Sequence, residues 1–72
     1  MDLVLGNLRN IDRRYSAKIA EREIFVRAEI EKAREAGESE EAEKFSEQLR
    51  HERAEIEEER ELAKERVRKN AL

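Results

Sequence analysis

Apolar residues recur along this chain at helical intervals. From Val4 they fall at Leu8, Ile11, Tyr15, Ile19, Val26, Ile30 and Ala33, in steps of 4, 3, 4, 4, 7, 4 and 3. At 100° per residue these positions form one stripe on a helix. A second stripe runs through Ala42, Phe45, Leu49, Ile56, Ala63, Val67 and Ala71. Apart from Leu62, almost everything else in that stretch is Glu, Arg or Lys. The strongest punctuation is Ala36-Gly37-Glu38-Ser39, between the stripes. Gly37 suits the left-handed residue after a helix end, and Ser39 can cap a second helix whose first turn carries Glu40, Glu41 and Glu43. Lys64, Arg66, Arg68 and Lys69 supply the sign that the far end of that helix prefers. The pattern predicts an all-α fold in one domain, residues 1–72. Helix 1 is expected over about 2–36, the turn at 37–39 and helix 2 over about 39–70, folded back as an antiparallel hairpin. Gly6-Asn7 is a weaker break, expected to kink or fray the first turn. The rival is one continuous helix in a parallel coiled coil that tolerates Gly37 at about 1 kcal/mol.

Helix 1 carries more apolar surface than one neighbour can cover. On the side away from its stripe lie Leu3, Ala17, Ile24 and Ala28, flanked by Ala20 and Phe25, with Asn7, Asn10, Arg14 and Glu21 between them. Ile24, Phe25 and Val26 are consecutive and project about 100° apart, so they cannot all face helix 2. Three alanines on this side admit close approach of another helix. The two asparagines are poor helix formers on a surface otherwise filled with Glu, Arg and Lys. Apolar anchors mixed with amides and an arginine make a pattern of interface core and rim. Leu3, Asn7, Asn10, Arg14, Ala17, Glu21, Ile24, Phe25 and Ala28 are therefore the candidate partner-binding residues. The bland reading is that Ile24 and Phe25 are scattered surface apolars or wrap onto helix 2.

Composition narrows the function further. Of 72 residues 35 are charged, with a net charge of −3, and 27 are apolar, nine of them alanine. A chain this short supports one core at most, and a lone hairpin so poor in large apolar residues is marginal, which favours association. Without cysteine there is no disulfide, thiolate zinc site or cysteine nucleophile. No membrane span and no targeting segment is present, as expected of a soluble chain compatible with cytoplasmic expression. Phosphate-binding glycine loops, a Ser/His/Asp set and zinc-ligand spacing are all missing. His51, between Glu47 and Glu55, faces solvent and reads as an ordinary surface histidine. The sequence thus predicts no enzyme, no cofactor and no metal.

Charge is polarised along the expected hairpin. The open end, residues 1–18 and 60–72, has nine bases and four acids, while the turn end, 28–48, has three bases and eight acids. That layout favours two hairpins side by side in opposite directions, or steers the basic end toward an acidic partner. Nucleic acid is disfavoured: the overall charge is negative, the arginines are spread over several faces, and one Tyr and two Phe offer little stacking.

Three resemblances bear on these expectations. The segment Leu8-Arg9-Asn10-Ile11-Asp12, continuing to Ile19-Ala20-Glu21-Arg22, resembles the first helix of helical chorismate mutases. It is one residue short of that spacing, and the chain lacks the later basic residues such a pocket needs. In shape alone the hairpin resembles small plasmid copy-number proteins, which dimerise into four-helix bundles and bind RNA. From about Ile30 to Asn70 the chain resembles computationally designed helical proteins. There Glu35 to Lys44 looks like a designed helix-loop-helix junction and strong helix formers fill the surface. That last resemblance implies a binder whose contact face is chosen for a target and whose remainder is chosen for folding.

The sequence reading is therefore a protein-interaction module. Helix 2 braces, and the outer face of helix 1 binds either a partner protein or a second copy in an antiparallel four-helix bundle. A small RNA- or DNA-binding regulator is the remaining alternative.

Overall fold

Two long helices account for nearly the whole chain. The computed structural model describes residues 2–70, with α1 over Asp2–Glu35 and α2 over Ser39–Asn70, and no strand among the described residues. Ala71, the last expected member of the second stripe, lies outside them. The helices pack antiparallel, and the Cα trace measures 54 by 15 by 7 Å. The long dimension is that of a single helix, since 34 residues at 1.5 Å each reach about 51 Å. The short one means a single layer two helices wide.

The connection is closed by backbone bonds alone. Glu38 N–H donates to the Ala33 carbonyl at 2.7 Å and Gly37 N–H to the Arg34 carbonyl at 3.0 Å. This crossed pair, with Gly37 at φ 74°, is the Schellman arrangement that satisfies the last carbonyls of a helix. The expected cap is displaced by one residue. Ala42 N–H donates to the Glu38 carbonyl at 3.1 Å, so Glu38 holds the cap position and Ser39 is already helical. The expected kink at Gly6-Asn7 is not found either: α1 runs unbroken through both. A glycine costs too little to end a helix whose next turns supply apolar contacts.

The apolar stripes face each other, but unevenly. Val26, Ile30, Ala33 and Ala42 are buried near the turn, with Phe45 and Leu49 packed against them. Toward the open end Leu8, Ile11, Tyr15, Ile19, Ile56, Ala63 and Val67 are only half-buried. Both stripes have a seven-residue gap, Ile19 to Val26 and Leu49 to Ile56, and the gaps fall at one level. Crossing ion pairs fill them. The Arg22 guanidinium donates through Nε and Nη2 to the two Glu52 carboxylate oxygens at 2.7 and 3.0 Å, and Glu23 meets Arg53 at 3.7 Å. Farther out, Lys64 Nζ reaches Asp12 Oδ1 at 3.1 Å. Each pair sets residue i of α1 opposite roughly residue 75 − i of α2.

Candidate functional site

α1 is held by α2 along one side only, and this decides what its other side can do. With Val26 pointing inward at 2% exposed, a residue two positions away projects about 160° from it and one five positions away about 140°. Ile24 and Glu21 are such residues. All nine candidate positions are exposed: Leu3, Asn7, Asn10, Arg14, Ala17, Glu21, Ile24, Phe25 and Ala28. Ile24 is 74% exposed and Phe25 58%, so neither wraps onto α2. With Phe25 set aside, the other eight recur in alternating steps of four and three. That is the strict heptad spacing with which one helix presents a continuous seam to another.

The structure does not bring all nine to one line. Phe25 projects about 100° from Ile24, toward the side where α1 is pinned by Arg22. The Arg22 guanidinium lies 5.3 Å from the centre of the Phe25 ring, over its face, while also binding Glu52. Glu52 accepts a further bond from Gln48 Nε2 at 3.1 Å. Hydrogen bonding from Arg22 holds the Glu52 carboxyl below the usual glutamate range; partial burial opposes this, and Gln48 adds to it. The bond to Glu52 in turn raises the Arg22 guanidinium. Phe25 thus stands over an arginine that is itself hydrogen-bonded to α2, an exposed aromatic side chain at the edge of the seam.

Opposite signs occupy the two outer edges of the open half at the levels where α2 runs from Glu58 to Glu65; beyond them α2 turns basic at Arg66, Arg68 and Lys69. On α1, Arg9, Arg13, Arg14 and Lys18 are exposed and form no ion pair among the described residues, although the Lys18 ammonium sits 5.0 Å from the Tyr15 ring centre. On α2, at the same level, Glu58, Glu61 and Glu65 are exposed and equally unpaired, with Leu62 among them at 53%. Sequence reasoning tallied charge by end and missed this difference across the width. It shows only once the register assigns each level its two edges. Lys44 pairs with Glu41 one turn back, at 3.4 Å. His51 Nε2 lies 3.2 Å from Glu55 Oε1 on the solvent side. No group of three His, Asp or Glu side chains arranged to hold a metal ion occurs among the described residues. No described helix is long and apolar enough to cross a membrane.

One residue that the sequence reading passed over is Arg60. It lies in the next gap of the α2 stripe, between Ile56 and Ala63, facing α1. Its Nε is buried without a hydrogen-bond partner, the nearest carboxylate oxygen being Asp12 Oδ1 at 4.0 Å. The seven-residue step was its only signal. The depressions beside the helix seam are open grooves, one between Arg27, Ile30, Arg34 and Ser46, Leu49, the other between Glu29, Ala33 and Glu41, Phe45. Neither encloses a small molecule.

The chain matches no protein-family model, and no curated protein or solved structure is similar to it.

Proposed function

We propose that this protein is a non-catalytic interaction module in which α2 braces α1 and the outer face of α1 makes the contact. The observation that carries this reading is the distribution of exposed large apolar side chains. Four of the five, Leu3, Leu5, Ile24 and Phe25, are on α1, although α2 is nearly as long. An exposed isoleucine beside an exposed phenylalanine, bordered by the small residues Ala17, Ala20 and Ala28, suits the groove or flank of another helix.

The test is the variant Ile24→Asp with Phe25→Ser. Both positions are exposed, so helix content by circular dichroism should match the parent. Cross-linking and affinity capture should show binding lost. A variant that captures the same proteins and sediments like the parent would refute the assignment.

A further inference from the structure

The outer edges of the hairpin identify one partner by sign. Two copies meeting α1 to α1 would crowd Arg9, Arg13, Arg14 and Lys18 of both chains around one seam, with Glu21 the one acid among the nine candidate positions of that face. Two copies meeting α2 to α2 would set Glu58, Glu61 and Glu65 against themselves. Like faces repel and unlike faces attract. We infer that the occupant of the α1 outer face is the acidic outer face of α2 from a second copy, so that the chain associates head to tail. This rests on the proposed contact face and names what covers it.

Register supports the match. If the next copy stands at the same height and in the same orientation, its α2 meets the outer face of α1 at the levels at which α2 meets the inner face. Ala17 then faces Glu58, and Arg13, Arg14 and Lys18 face the stretch 57–62, where Glu57, Glu58 and Glu61 lie, while Arg9 stands at the level of Arg66 and adds nothing to the match. Leu62 arrives beside Asn10, Arg14 and Ala17, where the small alanine leaves room. Ile24 meets the level of His51 and Ala54. Each α1 is then held between two α2 helices, its own and its neighbour's, which supplies the second neighbour that its apolar surface calls for. The turn half works against the contact, because Glu31 and Glu35 would approach Glu40, Glu43 and Glu47. The contact is accordingly confined to the open half and middle, weak, and dependent on salt. Because the two faces differ, an assembly of any length leaves one of each unsatisfied at its ends, and growth does not close at a dimer.

Sedimentation of the full chain over a concentration series tests this. At low salt the weight-average mass should climb with concentration without a plateau, and about 0.5 M NaCl should return it to the monomer. Arg13→Glu with Arg14→Glu should be monomeric, and so should Glu58→Arg with Glu61→Arg. An equal mixture of the two should associate again, because each supplies the face the other has inverted. Since the chain has no cysteine, an Ala17→Cys chain oxidised with a Glu58→Cys chain should give the mixed disulfide. A monomer at every concentration, a plateau at the dimer, a silent mixture or a predominant Ala17→Cys self-linkage would each overturn the inference. In the monomer case the contact face itself still stands if Ile24→Asp with Phe25→Ser abolishes capture of another protein, so the two failures can be told apart.

Discussion

The turn half and the open half of this hairpin are built from the same two helices, yet they hold together differently. Near the turn, Ala33 and Ala42 are small enough to let the backbones approach, and Val26 and Ile30 close the space between them. Near the open end the facing positions include Tyr15 and Arg60, and polar pairs anchored on Asp12 stand beside side chains only half removed from water. A layer two helices wide can be dry only where its side chains are small. Where they are large it needs a third surface, and the open half is also where the unpaired charges lie.

The comparison can be broken most directly by truncating one apolar residue in each half. Ile30→Ala should cost about 2–4 kcal/mol in urea denaturation, whereas Ile11→Ala should cost about 1, because far less of Ile11 has left water. Equal losses would mean that the two halves are equally packed. The turn itself comes next. Gly37→Ala places a Cβ at φ 74° and should cost about 1–2 kcal/mol although nothing stands within 4 Å of it. At the other pole Gly6 is helical and also unobstructed, so Gly6→Ala should instead stabilise by about 0.5–1 kcal/mol in thermal melts.

The smallest effect concerns the ion pair at the boundary of the halves. The folded Glu52 carboxyl sits below the usual glutamate range, chiefly through its bond from Arg22, so its stabilising contribution is complete above that range. It is lost as pH falls through the lowered folded value. The Arg22 contribution is lost only at alkalinity beyond ordinary use. Glu52→Gln should therefore flatten the acid limb of the stability curve by lowering the neutral plateau slightly, while stability at the acid end stays nearly unchanged. A variant that keeps the full acid slope would place its origin in other carboxylates.

What could be read without coordinates follows from this division. The two helices were legible because Val26, Ile30, Ala33, Ala42 and Leu49 obey helical spacing and Gly37 interrupts it once. The outward aim of Ile24 followed from that of Val26, since neighbouring residues on a helix cannot share a direction. Arg22, Arg53 and Arg60 were illegible as residues that reach the other helix because each looks like a flaw in an apolar stripe until that helix supplies Glu52, Glu23 or Asp12. The identity of the cap was decided by a single backbone bond to Glu38, and Ser39 next door offered the more familiar chemistry. The opposed edges were hidden because they compare residues such as Arg14 and Glu61, which are far apart in the chain and meet only at a common level.

The three-residue connection has a consequence for how far the helices can slide. The Glu52-Arg53 step of α2 is repeated seven residues later as Glu59-Arg60. Were α2 displaced by that one repeat, Arg22 could bind Glu59 and Glu23 could bind Arg60, so the crossing pairs by themselves do not distinguish the two alignments. Ala36, Gly37 and Glu38 leave no slack for the shift. A longer connection would release a hairpin able to adopt two alignments, with Ile30 moved from Phe45 toward Glu52 in the second. The shortest segment of the chain thus makes the choice between alignments that its two longest segments leave open.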